Sequence, residues 1–256
     1  MVPTDKTSMG GKNDAFHTTR WSEIRNAQSP HGERKREIIE RLLSKYWKPV
    51  YCYLRRKGYD NEEAKDLTQG FFHEIVIGKD LIQQSDEKKG RFRTFLLTTL
   101  DRYVTDVHRY EAAQKRSPAG KMLMLESAEL LNFPVAHARI GPDQVFHYAW
   151  AADLLNQVIA TLKNEYCNTG KTQHWEVFSA KVMIPIFNNV NAPPLSEICK
   201  KCGVDTESRA SNMILTVKRR FRSILRRYLR QLVQTDSEVD QEFTELLRVL
   251  SMGAGS

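Results

Sequence analysis

Apolar residues in this chain recur every three to four positions in each segment long enough to show a period, and no segment alternates with the period of two that a half-buried strand requires. That spacing stacks side chains along one face of a helix, so the fold class predicted is all-α. From Glu33 to Lys57 the stripe is Ile38, Leu42, Tyr46, Val50, Tyr53 and Leu54, with a kink expected at Pro49 and a stop at Gly58. Asp60 to Glu63 form a capping box, which starts a second helix at Asn61 with Ala64, Leu67, Phe71 and Ile75 facing inward. After the short Leu81-Ile82 step the polar run to Gly90 reads as a loop. Arg91 to Lys115 then carries Phe92, Leu96, Leu100, Tyr103, Val107 and Tyr110 on one stripe, and Ser117-Pro118-Ala119-Gly120 ends it.

A second helical block opens at Asp143 with Val145, Phe146, Trp150, Leu154, Leu155, Val158, Ile159 and Leu162, and closes at Gly170. Gln173 to Phe187 reads as helical until Pro185, and Asn188 to Pro194 as a turn-rich connection. Leu195 to Cys202, Gly203 and a long helix from about Thr206 to Val233 follow, then an acidic amphipathic tail through Val239, Phe243, Leu246, Leu247 and Leu250. The expected organisation is two helical modules. A leader with a short helix fills 1–31, a first helical domain 32–116, a linker 117–142, a second domain 143–235, and an acidic helix and tail 236–256.

Charge narrows the partners. The 39 Lys and Arg residues exceed the 31 Asp and Glu residues, for a formal charge of +8, which favours polyanions. No apolar run approaches signal-peptide or membrane-span length, so the expectation is a cytoplasmic protein that does not enter a membrane. Cys52, Cys167, Cys199 and Cys202 do not make a disulfide framework. Cys199 and Cys202 form a C-x-x-C without the second pair a structural zinc needs, so neither metal nor cofactor is expected. With no P-loop, no carboxylate cluster and no nucleophile beside a base, the chain does not read as an enzyme.

Three surfaces carry the functional reading. The last is the most specific: Leu195 to Cys202, a glycine turn and a capped helix have the layout of a helix-turn-helix. Asp205 or Thr206 would cap the second helix, which puts Ser208, Arg209, Ser211 and Asn212 at base edges, where Arg pairs with guanine and Asn with adenine. Thr216, Lys218, Arg219 and Arg220 follow on the polar and basic side, the last three where phosphates are met. On the Asn61 helix, Glu62, Asp66, Gln69 and His73 share an exposed stripe that suits a protein partner, with Phe72 beside it as an aromatic anchor. On the Arg91 helix, Thr98, Arg102, Thr105, Arg109 and Arg116, preceded by Lys88, Lys89 and Arg91, form a hydroxyl-bearing basic surface suited to unstacked bases. The acidic tail beyond Asp236 contrasts in charge with the helix before it, which suggests that it folds back.

The order of these parts resembles a known family. Asp66-Leu67-Thr68-Gln69-Gly70-Phe71-Phe72, followed by Gly90-Arg91-Phe92-Arg93-Thr94-Phe95-Leu96, resembles region 2 of extracytoplasmic-function sigma factors of bacterial RNA polymerase. The terminal helix-turn-helix resembles their region 4, and Phe16-His17-Thr18-Thr19-Arg20-Trp21-Ser22 is similar to the leader of the planctomycete-type branch. The resemblance implies that Asp66 and Gln69 grip the clamp helices of the beta-prime subunit, and that Thr98, Arg102, Thr105, Asp106 and Arg109 read and melt the minus-ten element. It implies that region 4 reads the minus-thirty-five element beside the beta flap, with an anti-sigma factor or other regulator as a further partner. The alternative is a helix-turn-helix regulator that binds duplex DNA without polymerase.

Overall fold

A computed structural model describes residues 32–78, 81–85, 91–114, 140–233 and 235–254. The leader, where a short helix was expected at Phe16–Ile24, residues 86–90 and residues 115–139, which include most of the expected linker, lie outside these residues. Those described form helices and no strand, as the periodicity requires. They divide into two compact units, one running to Trp150 and one spanning Ala151–Ser251.

In the first unit, α1 (Gly32–Arg56) continues through Pro49, where the missing N–H costs one rung of the ladder. Asp60 caps α2 (Asn61–Gly70) with the full box: its carboxylate accepts from the Glu63 N–H at 2.8 Å, and the Glu63 carboxylate accepts from the Asp60 N–H at 3.1 Å. A π-helical stretch, Phe71–Gly78, prolongs α2, and the short α3 (Leu81–Gln84) and the long α4 (Phe92–Gln114) complete the chain as far as the linker. The division between units falls inside α5 (Pro142–Asn168), not at its start, because Ile140, Val145, Phe146 and Ala149 pack into the first unit. Ile140, expected in the linker, is buried, and its carbonyl accepts from Arg56 Nε at 2.6 Å.

Aromatic rings bind these helices together. Tyr46 of α1 meets Phe92 of α4 edge-on at 5.7 Å and Phe146 of α5 in a stack at 6.4 Å, while Phe71 meets Tyr103 at 5.7 Å. Arg93 is buried, its guanidinium 4.3 Å from the centre of the Trp150 ring.

The inward stripe of α2 is broader than the expected one. Thr68 is fully buried because its hydroxyl donates to the Ala64 carbonyl at 2.6 Å, so a polar residue occupies a core position without an unmet hydrogen bond. The stripe is therefore Ala64, Thr68, Phe71, Phe72 and Ile75, and Leu67 is left at its rim. Phe72, expected as an exposed anchor, is 4% exposed and stacks on Trp47. On α4 the core ends at Val107, so Tyr110, expected on the buried stripe, projects past it at 66% exposure.

The second unit contains the rest of α5, then α6 (Thr172–Phe178), a π-helical turn Ser179–Met183 and α7 (Ile184–Asn188). Pro185 does not end the helix as expected. The Ile184 N–H bonds to the Ser179 carbonyl five residues back, and this wider turn accommodates the proline ring. The helix ends at Asn189, which takes a left-handed conformation at φ 50°. Then come α8 (Leu195–Cys202), α9 (Glu207–Arg230) and α10 (Asp236–Ala254). Among the described residues no helix is long and apolar enough to cross a membrane.

Gly70 sits where a side chain does not fit: a Cβ there would lie 2.4 Å from the Tyr103 hydroxyl oxygen but an ordinary 3.6 Å from the next ring carbon. Gly70→Ala is expected to destabilise the first unit by about 1–3 kcal/mol through overpacking. In a Tyr103→Phe background the same change should be stabilising, by up to about 1 kcal/mol of helix propensity. Chemical denaturation of the four proteins of the cycle reads both numbers.

Candidate functional site

Three surfaces emerge, two on the first unit and one on the second. Glu62, Asp66, Gln69 and His73 are all exposed and recur at helical spacing along α2 and its π-helical extension. Lys65 leans on Glu62 at 3.0 Å, and the other carboxylate and amide groups of the stripe face outward. The face is acidic, rigidly backed by the Thr68–Phe72 stripe, and suits a basic or amide-bearing partner. Phe72 has no part in it.

On α4, Thr98, Arg102, Thr105, Asp106 and Arg109 are exposed together. The Thr98 and Thr105 hydroxyls donate to the Thr94 and Asp101 carbonyls at 3.0 and 2.8 Å. Their oxygens therefore remain as acceptors, suited to the amino groups of unpaired bases. Arg109 lies 4.0 Å from Asp106 on this face, both side chains largely exposed. Arg91 is half-buried at the helix start, while Lys88, Lys89 and Arg116 lie outside the described residues.

Asp101 accepts from Lys57 Nζ at 2.5 Å and from the Tyr53 hydroxyl at 2.8 Å. These two bonds, Lys57 first, hold its carboxyl below the usual aspartate range, while burial and the Asp101 partner push the Tyr53 phenol up. The sequence reading missed an aromatic edge. Tyr59 stacks on His108 at 5.6 Å and bonds to its Nε2 through the hydroxyl, and Tyr110 stands exposed two residues further on. Tyr59 is half-buried, while His108 and Tyr110 are exposed on the helix that carries Thr98, Arg102 and Arg109. Tyr110 was hidden because its spacing continues the core stripe.

In the second unit a short helix, a glycine turn and a long capped helix stand where the spacing predicts them. Gly203 takes φ 65°, the left-handed region glycine enters without strain, and the buried Val204 anchors the turn through a bond from its N–H to the Cys199 carbonyl at 2.9 Å. Thr206, not Asp205, caps α9, its hydroxyl accepting from the Arg209 N–H at 3.2 Å. Asp205 instead pairs with the Arg209 guanidinium at 2.7 Å. Gln173 of α6 donates through Nε2 to the carbonyls of both Cys202 and Gly203, at 3.0 and 2.9 Å, which fixes the turn from behind.

Of the base-reading set, Ser208, Arg209 and Asn212 are exposed and Ser211 is half-buried on the flank. Thr216, Lys218 and Arg219 are exposed as well, but Arg220 is committed: its Nε and Nη2 bond both oxygens of Glu165 at 2.7 and 2.9 Å. Leu215 was missed. It is 50% exposed, three residues after Asn212 and four before Arg219. Also missed is an apolar edge on the α7 segment, with Ile186 at 71%, Phe187 at 64% and Val190 at 56% exposure.

The acidic helix α10 folds back on α9 only at its far end. Asp236 pairs with Arg230 at 2.8 Å and Asp240 pairs with Arg226, while Ser208 to Arg219 stay clear of these pairs. Burial pushes the Cys52 thiol up to about 12, against the opposing fields of Lys48 and Arg55, and it raises Cys202 too. Among the described residues no group of three or more His, Cys, Asp or Glu side chains is placed to hold a metal ion. Compared with known proteins, the chain matches no family model, no curated protein and no solved structure.

The Asp101 bonds carry a pH signature. A carboxyl held below its unfolded value of about 3.9 contributes stability that is fully present above that value and lost as pH falls through the lower folded value. Asp101→Asn removes this contribution, so the gap in Tm between the native protein and the variant should be widest at neutral pH and should close below about pH 4. Thermal melts over that range measure it.

Proposed function

We propose that this protein is a sigma-type initiation factor, which brings core RNA polymerase to specific promoters and performs no bond chemistry of its own. The observation that carries the reading is the order of surfaces along the chain. An exposed carboxylate-amide face on α2 precedes a threonine-arginine face on α4, and a helix-turn-helix with an open reading end follows in the second unit. Glu62, Asp66, Gln69 and His73 would dock on the beta-prime clamp helices. Thr98, Arg102, Thr105, Asp106 and Arg109 would hold unpaired bases of the minus-ten element, with Tyr110 as a stacking ring.

Melting needs no nucleotide hydrolysis on this reading. Opening a base step costs a few kcal/mol, and each base captured on an aromatic ring returns about 1–3 kcal/mol. The second unit would read the minus-thirty-five element as duplex, through Ser208, Arg209, Asn212 and Leu215 at base edges, with Lys218 and Arg219 at phosphates. The Ile186–Phe187–Val190 edge suits an apolar element of polymerase such as the beta flap. The protein would act on the bacterial nucleoid, in the cytoplasm, with an anti-sigma factor or other regulator as a further partner.

A second reading, a duplex-binding regulator that ignores polymerase, is favoured by the second unit being a complete helix-turn-helix by itself. One double variant separates the two. Asp66→Lys with Gln69→Ala should abolish co-purification with core polymerase and promoter-dependent run-off transcription, yet leave duplex binding unchanged. Co-purification at the native level would overturn the sigma reading and leave the regulator.

A further inference from the structure

The end of α5 and the middle of α9 enclose an open groove of about 510 Å³, whose lining includes Thr169, Lys171, Thr216, Arg219 and Ser223. Glu165 is the one carboxylate among the lining residues, and the Arg220 guanidinium occupies both its oxygens. That pair neutralises itself, so Lys171 and Arg219 set the charge of the groove. The Thr169 and Thr216 hydroxyls donate to the Glu165 and Asn212 carbonyls, each at 2.8 Å. Ser223 and Tyr166 bring further hydroxyls to the lining that Lys171 and Arg219 share. Two cations and these hydroxyls, with the nearby carboxylate already satisfied, are a receptor for a tetrahedral oxyanion.

We propose that this groove seats one backbone phosphate of duplex DNA, with Lys171, which lies outside the helix-turn-helix, as its principal cation. The proposal rests on the duplex-reading role of the second unit. Thr216 and Arg219 belong both to the groove and to the exposed side of α9, so the seat is continuous with the reading helix. The imidazole of His174 marks how close the two regions lie: it packs against Tyr166 of the groove wall at 6.1 Å. Its proton affinity is lowered by burial first, then by the fields of Lys171 and Arg209. A phosphate held here would fix the angle at which α9 enters the major groove while carrying no sequence information.

The test is the salt dependence of affinity for a duplex selected from a random library by the full-length protein. Lys171 stands before α6 without a side-chain capping bond, so Lys171→Ala leaves the helix start as it is. Losing one phosphate contact should lower the slope of log K against log salt by about 0.9, with sequence preference unchanged. Lys163→Ala removes an equal charge from the exposed side of α5 outside the groove and should keep the native slope. An unchanged slope for Lys171→Ala, or equal losses for both variants, overturns the proposal. Inorganic phosphate, titrated alone into the full chain, distinguishes the source: saturable binding lost in Lys171→Ala without any change in the duplex slope assigns the groove to a free anion and overturns the backbone assignment. Failure of the DNA-binding reading itself would look different, because the unsubstituted protein would then select no duplex.

Discussion

Tyr46 holds the first unit together. Its ring lies against Phe92 of α4 and Phe146 of α5, so a residue on α1 ties the helix with the threonine-arginine face to the part of α5 that belongs to the first unit. Each such aromatic pair adds about 0.5–1.5 kcal/mol to the burial of the rings themselves. With the inward sides of α1, α2 and α4 committed to that cluster, the outward sides are decided: Asp66 and Gln69 on one, Arg102 and Arg109 on another. The functional faces are the complement of the core.

The second unit uses polar bonds for the same purpose. Two contacts from outside α8 and α9 hold the turn between them and the middle of α9. Gln173 binds both carbonyls of the turn, and Glu165 holds Arg220 in a two-pronged pair. Both are partly solvated, so each contributes more to geometry than to net stability. The far end of α9 is tied instead to α10, through the Arg226 and Arg230 pairs. This leaves the reading end open, and the fold-back suggested by charge is confined to the distal turns.

How much was legible beforehand differs by element. The capping box at Asp60 and the glycine turn at Gly203 are local signals, decided by hydrogen bonds within four residues, and they appear where the sequence puts them. Thr68 shows where local reading fails. A threonine looks polar until its hydroxyl finds a carbonyl four residues back, and with that bond made Thr68 joins Ala64, Phe71 and Ile75 in the core. Tyr110 fails in the opposite direction: its spacing matches the stripe, but the core it would join ends at Val107.

The sequence alone therefore determined the helical class, the two-module order and most of the exposed polar faces, because these follow from a periodicity that each helix expresses by itself. Tertiary structure decided which members of those faces are available. It buried Phe72, committed Arg220 to Glu165, and joined Lys171 to Arg219 in one groove. Those outcomes depend on partners far away along the chain, 55 residues for Arg220 and Glu165, where no periodic pattern reports what a side chain will meet.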